Sequence, residues 1–211
     1  MATFILVHGA WHGGWCWRDV APALRRAGHE VHTPTLAGSD LAAHIDEVLT
    51  LVKEDAVLVG HSYAGMVITG AADRSPRVKR LVYLDAFVPE NGKCALDYVV
   101  PERAARMREE GERTGFIAPP PPSVWGLTGK EGFDFVKQPF ATLAQPIHYE
   151  RKRWRTVPKT YIYCSSPATG SFDQFAAKYR SDPAWRFHEL KTGHDAMLLV
   201  PGELVSVLLA P

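Results

Sequence analysis

The sequence is poor in the features that announce a disulfide scaffold, a membrane span or a nucleic-acid binder. Its 211 residues hold only three cysteines, Cys16, Cys94 and Cys164. They are widely spaced and form no C-x-x-C pair, so neither a disulfide framework nor a zinc site is indicated. Free thiols in a reducing cytoplasm are the expectation, and none of the three sits in a recognisable nucleophile motif. Charge of one sign is also lacking: 24 Lys and Arg stand against 23 Asp and Glu, a formal net charge of +1. That leaves no broad basic field for nucleic acid or an anionic membrane. The cluster Arg151, Lys152, Arg153 and Arg155 reads as a local solvated face. Long apolar runs are missing too. Phe4-Ile5-Leu6-Val7 is only four residues long, short of a spanning helix or a signal-peptide core. It runs straight into His8-Gly9, so no removable leader is expected.

What is there is an ordinary globular composition, 46% hydrophobic and 22% charged, at a length that suits one domain over 1–211. Apolar runs closed by glycine or proline predict strands at Phe4–Val7, Glu30–Thr33, Ala56–Val59 and Val78–Leu84. Helical spacing falls between them over 15–27, 40–53 and 64–73. Residues 88–157 break the rhythm with a charged helical pattern near 101–113 and four prolines, Pro119 to Pro122, expected to be extended. This stretch reads as a cap-like insertion over the sheet. The alternation resumes with a strand over Thr160–Cys164, a helix over 171–181, a strand over Phe187–Leu190 and a last helix over 201–210. Alternating strands and helices with uniformly apolar central strands predict the α/β class, with a mostly parallel sheet covered by helices on both faces.

Three segments carry chemistry. The strand at 56–59 leads into Gly60-His61-Ser62-Tyr63-Ala64-Gly65, and a helix follows at once. A serine in a tight strand-to-helix turn is a nucleophile elbow, in which the turn pushes the hydroxyl out above the sheet edge. Alanine replaces the usual second glycine and adds one methyl group. The plainer alternative is a serine that only caps the helix. A serine hydroxyl needs a base, and of nine histidines His194 has the right place, in Thr192-Gly193-His194-Asp195 after the last strand. The third segment follows the first strand: His8-Gly9-Ala10-Trp11-His12-Gly13-Gly14-Trp15. Acyl transfer requires two backbone N–H groups at the developing oxyanion, and Tyr63 and Ala10 are the candidates. A plain glycine-rich turn is the alternative.

Together these three segments resemble the plant methylesterase and hydroxynitrile-lyase-like group of the α/β-hydrolase superfamily, with its bacterial esterase relatives. The likeness covers nearly the whole chain and is weakest in the insertion. It implies an α/β-hydrolase fold, a helical cap and no cofactor. Three departures stand out. The stretch Thr33 to Gly38 runs almost directly into the next helix, where relatives carry a longer loop, and a more open pocket rim would follow. Lyase members carry a lysine directly after the catalytic histidine; Asp195 stands there and would repel cyanide. Many relatives place the triad acid after the strand matching 160–164, where this chain has Ser165-Ser166-Pro167.

A triad still needs a carboxylate to fix the histidine tautomer. Asp173 falls on the next helical segment with its side chain toward solvent, and Asp195 should point away from the Nδ1 side of its neighbour. Asp85 ends the strand after the nucleophile strand. Parallel neighbours end at the same sheet edge about 4.8 Å apart, so Asp85 is expected to accept a hydrogen bond from His194, though it could also simply cap the next turn.

The function expected is a serine hydrolase (catalytic Ser62, His194 and Asp85) cleaving a carboxylic ester or lactone of a small apolar compound, with no metal. Pocket candidates are Trp11, His12, Phe87 and Trp125. The alternatives are a non-catalytic ligand-binding homologue, or a cofactor-free lyase, dioxygenase or haloperoxidase-like activity on the same scaffold. The expected partner is a small-molecule ester, with no nucleic acid and no membrane. A homodimer is compatible with the sequence, which does not fix the oligomeric state.

Overall fold

Apolar stretches too short for helices become the strands of one sheet in the computed structural model, which describes residues 1–129, 133–151 and 153–210. Lys152 of the basic cluster lies outside them. In chain order the elements are β1 (Thr3–Val7), α1 (Ala21–Arg26), β2 (Glu30–His32), α2 (Leu41–Leu51), β3 (Ala56–His61), α3 (Ala64–Arg74) and β4 (Val78–Leu84). Then come α4 (Pro101–Thr114), β5 (Phe116–Ile117), β6 (Gln138–Pro139), α5 (Phe140–Ala144), β7 (Lys159–Cys164), α6 (Asp173–Tyr179), β8 (Trp185–Leu190), α7 (Ala196–Leu199) and α8 (Pro201–Leu209). Six strands form a wholly parallel sheet in the order β2-β1-β3-β4-β7-β8. Chain order reverses direction between β2 and β3. Right-handed crossovers therefore put α1 and α3 on opposite faces, the doubly covered α/β architecture that the apolar strands predict.

Local chemistry sets the boundaries. Asp40 caps α2 by accepting from the Ala43 amide at 2.8 Å, a side chain satisfying an otherwise unpaired first-turn N–H. The pattern over 15–27 is not one helix. Gly14–Trp17 forms a 3-10 turn and α1 starts only at Ala21, with Pro22 in its first turn. Proline has no N–H to give an interior helix bond, so the helix can begin there but cannot run through. In the proline run, Pro122 opens a 3-10 turn ending at Trp125, so only its first three members are irregular backbone.

Two glycines differ in what they make room for. A Cβ on Gly65 would stand 1.9 Å from the Phe87 carbonyl oxygen, whereas one on Gly202 would meet nothing within 4 Å. Gly65→Ala is expected to lower unfolding free energy by about 2–3 kcal/mol or more, because backbone must move to admit it. Gly202→Ala, in the first turn of α8, is expected to raise it by roughly 0.5 kcal/mol. Urea titration of both variants against the parent checks the contrast; equal effects would mean the α3–Phe87 contact is looser than described.

Candidate active site

Because all six strands are parallel, the loops after β1, β3, β4, β7 and β8 gather at one sheet edge, where α/β proteins build their sites. Ser62 follows β3 directly and takes φ 56°, and Asp85, directly after β4, takes φ 41°. Such left-handed backbone is strained for residues with a Cβ. The strain is held by hydrogen bonds. The Ser62 amide donates to the Leu84 carbonyl at 3.1 Å, and the Ser62 carbonyl accepts from Gly65 at 3.1 Å and Phe87 at 3.2 Å. Register pairs His61 with Leu84, so Ser62 and Asp85 emerge side by side.

His194 Nδ1 donates to Asp85 Oδ2 at 2.6 Å, and the second carboxylate oxygen accepts from the Cys164 amide at 3.2 Å. Both residues are buried. Burial pushes the Asp85 carboxyl above its usual range, opposed chiefly by the His194 hydrogen bond. With Nδ1 committed as a donor, Nε2 of His194 is the nitrogen left to accept a proton. The Phe172 ring stacks on the imidazole, 4.9 Å between centroids and 9° off parallel, and fixes its plane. Ser62 and His194 line one cavity without a direct hydrogen bond between them, an arrangement that commonly tightens only once a ligand arrives.

The loop after β1 is pinned peptide by peptide. Gly9 packs so closely that a Cβ there would lie 2.9 Å from Ser62 Cβ. Its carbonyl accepts from His8 Nδ1 at 2.8 Å, while His8 Nε2 accepts from the Leu36 amide at 2.9 Å. That fixes His8 as one neutral tautomer and orients the Gly9–Ala10 peptide. Among the described residues the Ala10 and Tyr63 amides have no protein acceptor, and both residues line the cavity. Two such N–H groups beside a serine are what an oxyanion requires.

A second buried pair lies behind the first. His12 Nε2 stands 3.2 Å from Asp195 Oδ2, and His12 Nδ1 donates to the Ala10 carbonyl at 2.8 Å. Asp195 thus points away from Nδ1 of His194, as expected. His61 Nε2 donates to the His194 carbonyl at 3.1 Å, and burial holds its imidazole neutral, well below the usual pKa. His61, His194 and Asp195 bring ligand atoms within 4.8 Å of one another. Two of the three are already engaged with protein partners, His61 Nε2 with the His194 carbonyl and Asp195 with His12.

The cavity is narrow, with a volume of about 40 Å³. Of the pocket residues predicted, Trp11, Phe87 and Trp125 line it. His12 does not: its ring packs under Trp15, Trp125 and Phe135 and serves Asp195 instead. No residue of 33–40 lines the cavity. The wall also includes Leu96, Arg103 and Met107 from the insertion and Thr169 from the loop after β7, none of which the sequence reading singled out. Asp173 is exposed and bonded to the Tyr163 hydroxyl at 2.7 Å. Among the described residues no helix is long and apolar enough to cross a membrane.

Comparison with known proteins agrees with this architecture. A profile of the alpha/beta hydrolase family matches residues 4–207. A carbendazim hydrolyzing esterase from Nocardioides sp. (strain SG-4G) is 38% identical over 241 aligned positions, covering 100% of this chain and 99% of the relative. The alignment is longer than this chain, so the relative carries residues that this chain lacks. Methylesterase 7 of Arabidopsis thaliana is 29% identical, over 98% of this chain and 94% of its own. Among solved structures, a pyrethroid hydrolase from Sphingobium faniae superimposes with a TM-score of 0.78 at 22% identity, covering 98% of this chain and 95% of its own. An extracellular alpha/beta-hydrolase from a Paenibacillus species does so at 0.77 and 22%, covering 99% and 98%.

His8 gives this arrangement a measurable pH signature. Burial lowers its pKa to about 4 from an ordinary 6.5, so the unfolded chain takes up a proton before the folded one does. Its contribution to stability is complete above pH 6.5 and is lost as pH falls toward 4, by up to roughly 3 kcal/mol. Asp85, with its raised pKa, titrates with the opposite sign and is common to parent and variant. His8→Asn keeps a donor for the Gly9 carbonyl. The stability advantage of the parent over His8→Asn should therefore shrink between pH 7 and pH 4.5 in chemical denaturation. A gap that does not change with pH would mean His8 is not held neutral.

Proposed function

The chain belongs to the alpha/beta hydrolase family, and from that premise we propose that it is a serine esterase acting on a carboxylic ester or lactone of a small, largely apolar compound. The observation that carries this reading is the 2.6 Å bond between His194 Nδ1 and Asp85 Oδ2 at a cavity that also holds Ser62. His194 Nε2 takes the proton of Ser62 as its Oγ attacks the ester carbonyl. The developing oxyanion accepts from the amides of Ala10 and Tyr63. Asp85 stabilises the imidazolium, which returns its proton to the departing alcohol. Water, deprotonated in turn by His194, then releases the acid from the acyl-enzyme. No step calls on a cofactor.

The relatives' names support ester hydrolysis at the level of reaction class. Methyl esters head the substrate panel because several relatives are named methylesterases. The bond between His194 and Asp85 supports a catalytic reading over a non-catalytic binding protein. Asp195, tied to His12, weighs against the lysine-dependent lyase chemistry. Three buried, unpaired cysteines fit work in a reducing compartment. The partner is the small substrate, with neither nucleic acid nor membrane needed.

Ser62→Ala should lose at least ~10³-fold in ester turnover and all labelling by a fluorophosphonate probe while its melting temperature stays near the parent's. Retention of most of the rate would sink the assignment of the nucleophile. Asp85→Asn should cut turnover by roughly 10²–10⁴-fold with the fold intact.

A further inference from the structure

Most of the cavity wall is apolar, but among the described residues the side chains of Arg103 and Thr169 on it, away from Ser62 and His194, carry polar atoms with no partner. Arg103, on the first turn of α4, contributes to the wall. Among the described residues its guanidinium makes no ion pair and no hydrogen bond, while other arginines of the surface do, such as Arg108 with Asp97 and Arg180 with Glu189. Burial and the neighbouring Arg106 both lower its pKa, and no acidic side chain counters them. Thr169, also on the wall, has a hydroxyl sealed from solvent with no partner among the described residues. Both residues line the same cavity from different elements. A Cβ on Gly170 would lie 3.9 Å from Val100 Cγ2, so the loop after β7 abuts the start of α4, one helical turn from Arg103. A guanidinium with five donors and no acceptor, on a largely apolar wall that also carries an idle hydroxyl, is an unfilled demand for an acceptor.

We propose that Arg103 and Thr169 form an acceptor subsite inside the cavity, and that the preferred esters carry a carboxylate at the end remote from the scissile carbonyl. This rests on the esterase reading above and narrows it: the body of the substrate is apolar, against Leu96, Met107 and Phe172, and its far end is anionic. A desolvated guanidinium–carboxylate contact outweighs a neutral one, so the preference should be on the order of ten- to a hundredfold.

The test uses monomethyl adipate and methyl hexanoate, which differ by a carboxylate in place of a methyl group. The parent should show kcat/KM at least ~10-fold higher for the adipate at low salt, mainly through KM. In Arg103→Met that ratio should collapse toward one, and Arg103→Lys should retain part of it. A parallel arm measures binding of the same two esters to Ser62→Ala through the fluorescence of Trp11 and Trp125, and needs no turnover. There the adipate should bind more tightly, and Arg103→Met on that background should erase the difference. If the parent hydrolyses neither ester yet Ser62→Ala binds the adipate selectively, the subsite stands and the esterase reading falls. If both esters are cleaved with equal efficiency, or the ratio survives Arg103→Met, the subsite falls and the esterase reading stands. Should Arg103→Met fail to fold, Arg103→Gln carries the same comparison.

Discussion

The close approach of backbone around Ser62 is the constraint on which the site depends. Ser62 and Asp85 both hold left-handed backbone, at a cost on the order of 1–3 kcal/mol each. The surrounding core leaves neither an alternative. Gly60 and Gly65 permit α3 to start immediately after the turn, since a Cβ on either would meet backbone oxygen at 2.8 or 1.9 Å. Gly9 lets the loop after β1 lie against the serine itself. The Ser62 carbonyl, held by Gly65 and Phe87, then links the elbow to the segment that carries Asp85. Ser62, Asp85 and the loop after β1 are therefore held together chiefly by strand register and glycine packing.

The insertion is bound into that unit. Trp11, at φ 66°, receives three ties from it: its amide donates to Gln138 Oε1 at 3.0 Å, its indole N–H to the Ile117 carbonyl at 3.0 Å, and its own carbonyl accepts from Val136 at 2.9 Å. At the other side a Cβ on Gly193 would lie 2.5 Å from the Trp125 carbonyl oxygen, so the insertion also presses on the loop that presents His194. Residues 88–157 thus brace both the loop after β1 and the loop after β8. A hinged lid would have to break these bonds to open, which favours entry through a gap in the wall over wholesale lifting.

The parts of this arrangement that follow from local rules were legible in the sequence. Short apolar strands, a serine in a strand-to-helix turn and a late Gly-His each follow from periodicity or turn chemistry, and the position of Asp85 follows from parallel strand spacing alone. What was not legible depends on three-dimensional pairing. The helical pattern over 15–27 counted side chains and underweighted Pro22. His12, in an aromatic-rich segment, looked like a pocket residue, but its partner Asp195 lies 183 positions away, beyond any local rule. Arg103 sits in a helix whose other charges face solvent; only its place four residues before the buried Met107, on the same helical face, hinted at the cavity.

The partners of the histidines at this sheet edge set His194 apart from the others. Both nitrogens of His8 are used, one by the Gly9 carbonyl and one by the Leu36 amide. Both nitrogens of His12 face oxygens, on Ala10 and Asp195. His61 spends Nε2 on the His194 carbonyl, and its Nδ1 is sealed against Gly9. His44 bonds the Tyr63 hydroxyl at 3.0 Å, on the side of the elbow away from the cavity. Each of these bonds orients backbone that the reaction would use: the Gly9–Ala10 peptide through His8, the Ala10 carbonyl through His12, and the base loop through His61. His194 alone among them lines the cavity with one nitrogen fixed as a donor to a buried carboxylate. His8 and His12 have both nitrogens engaged and His61 has one, whereas Nε2 of His194 faces the cavity with no partner among the described residues.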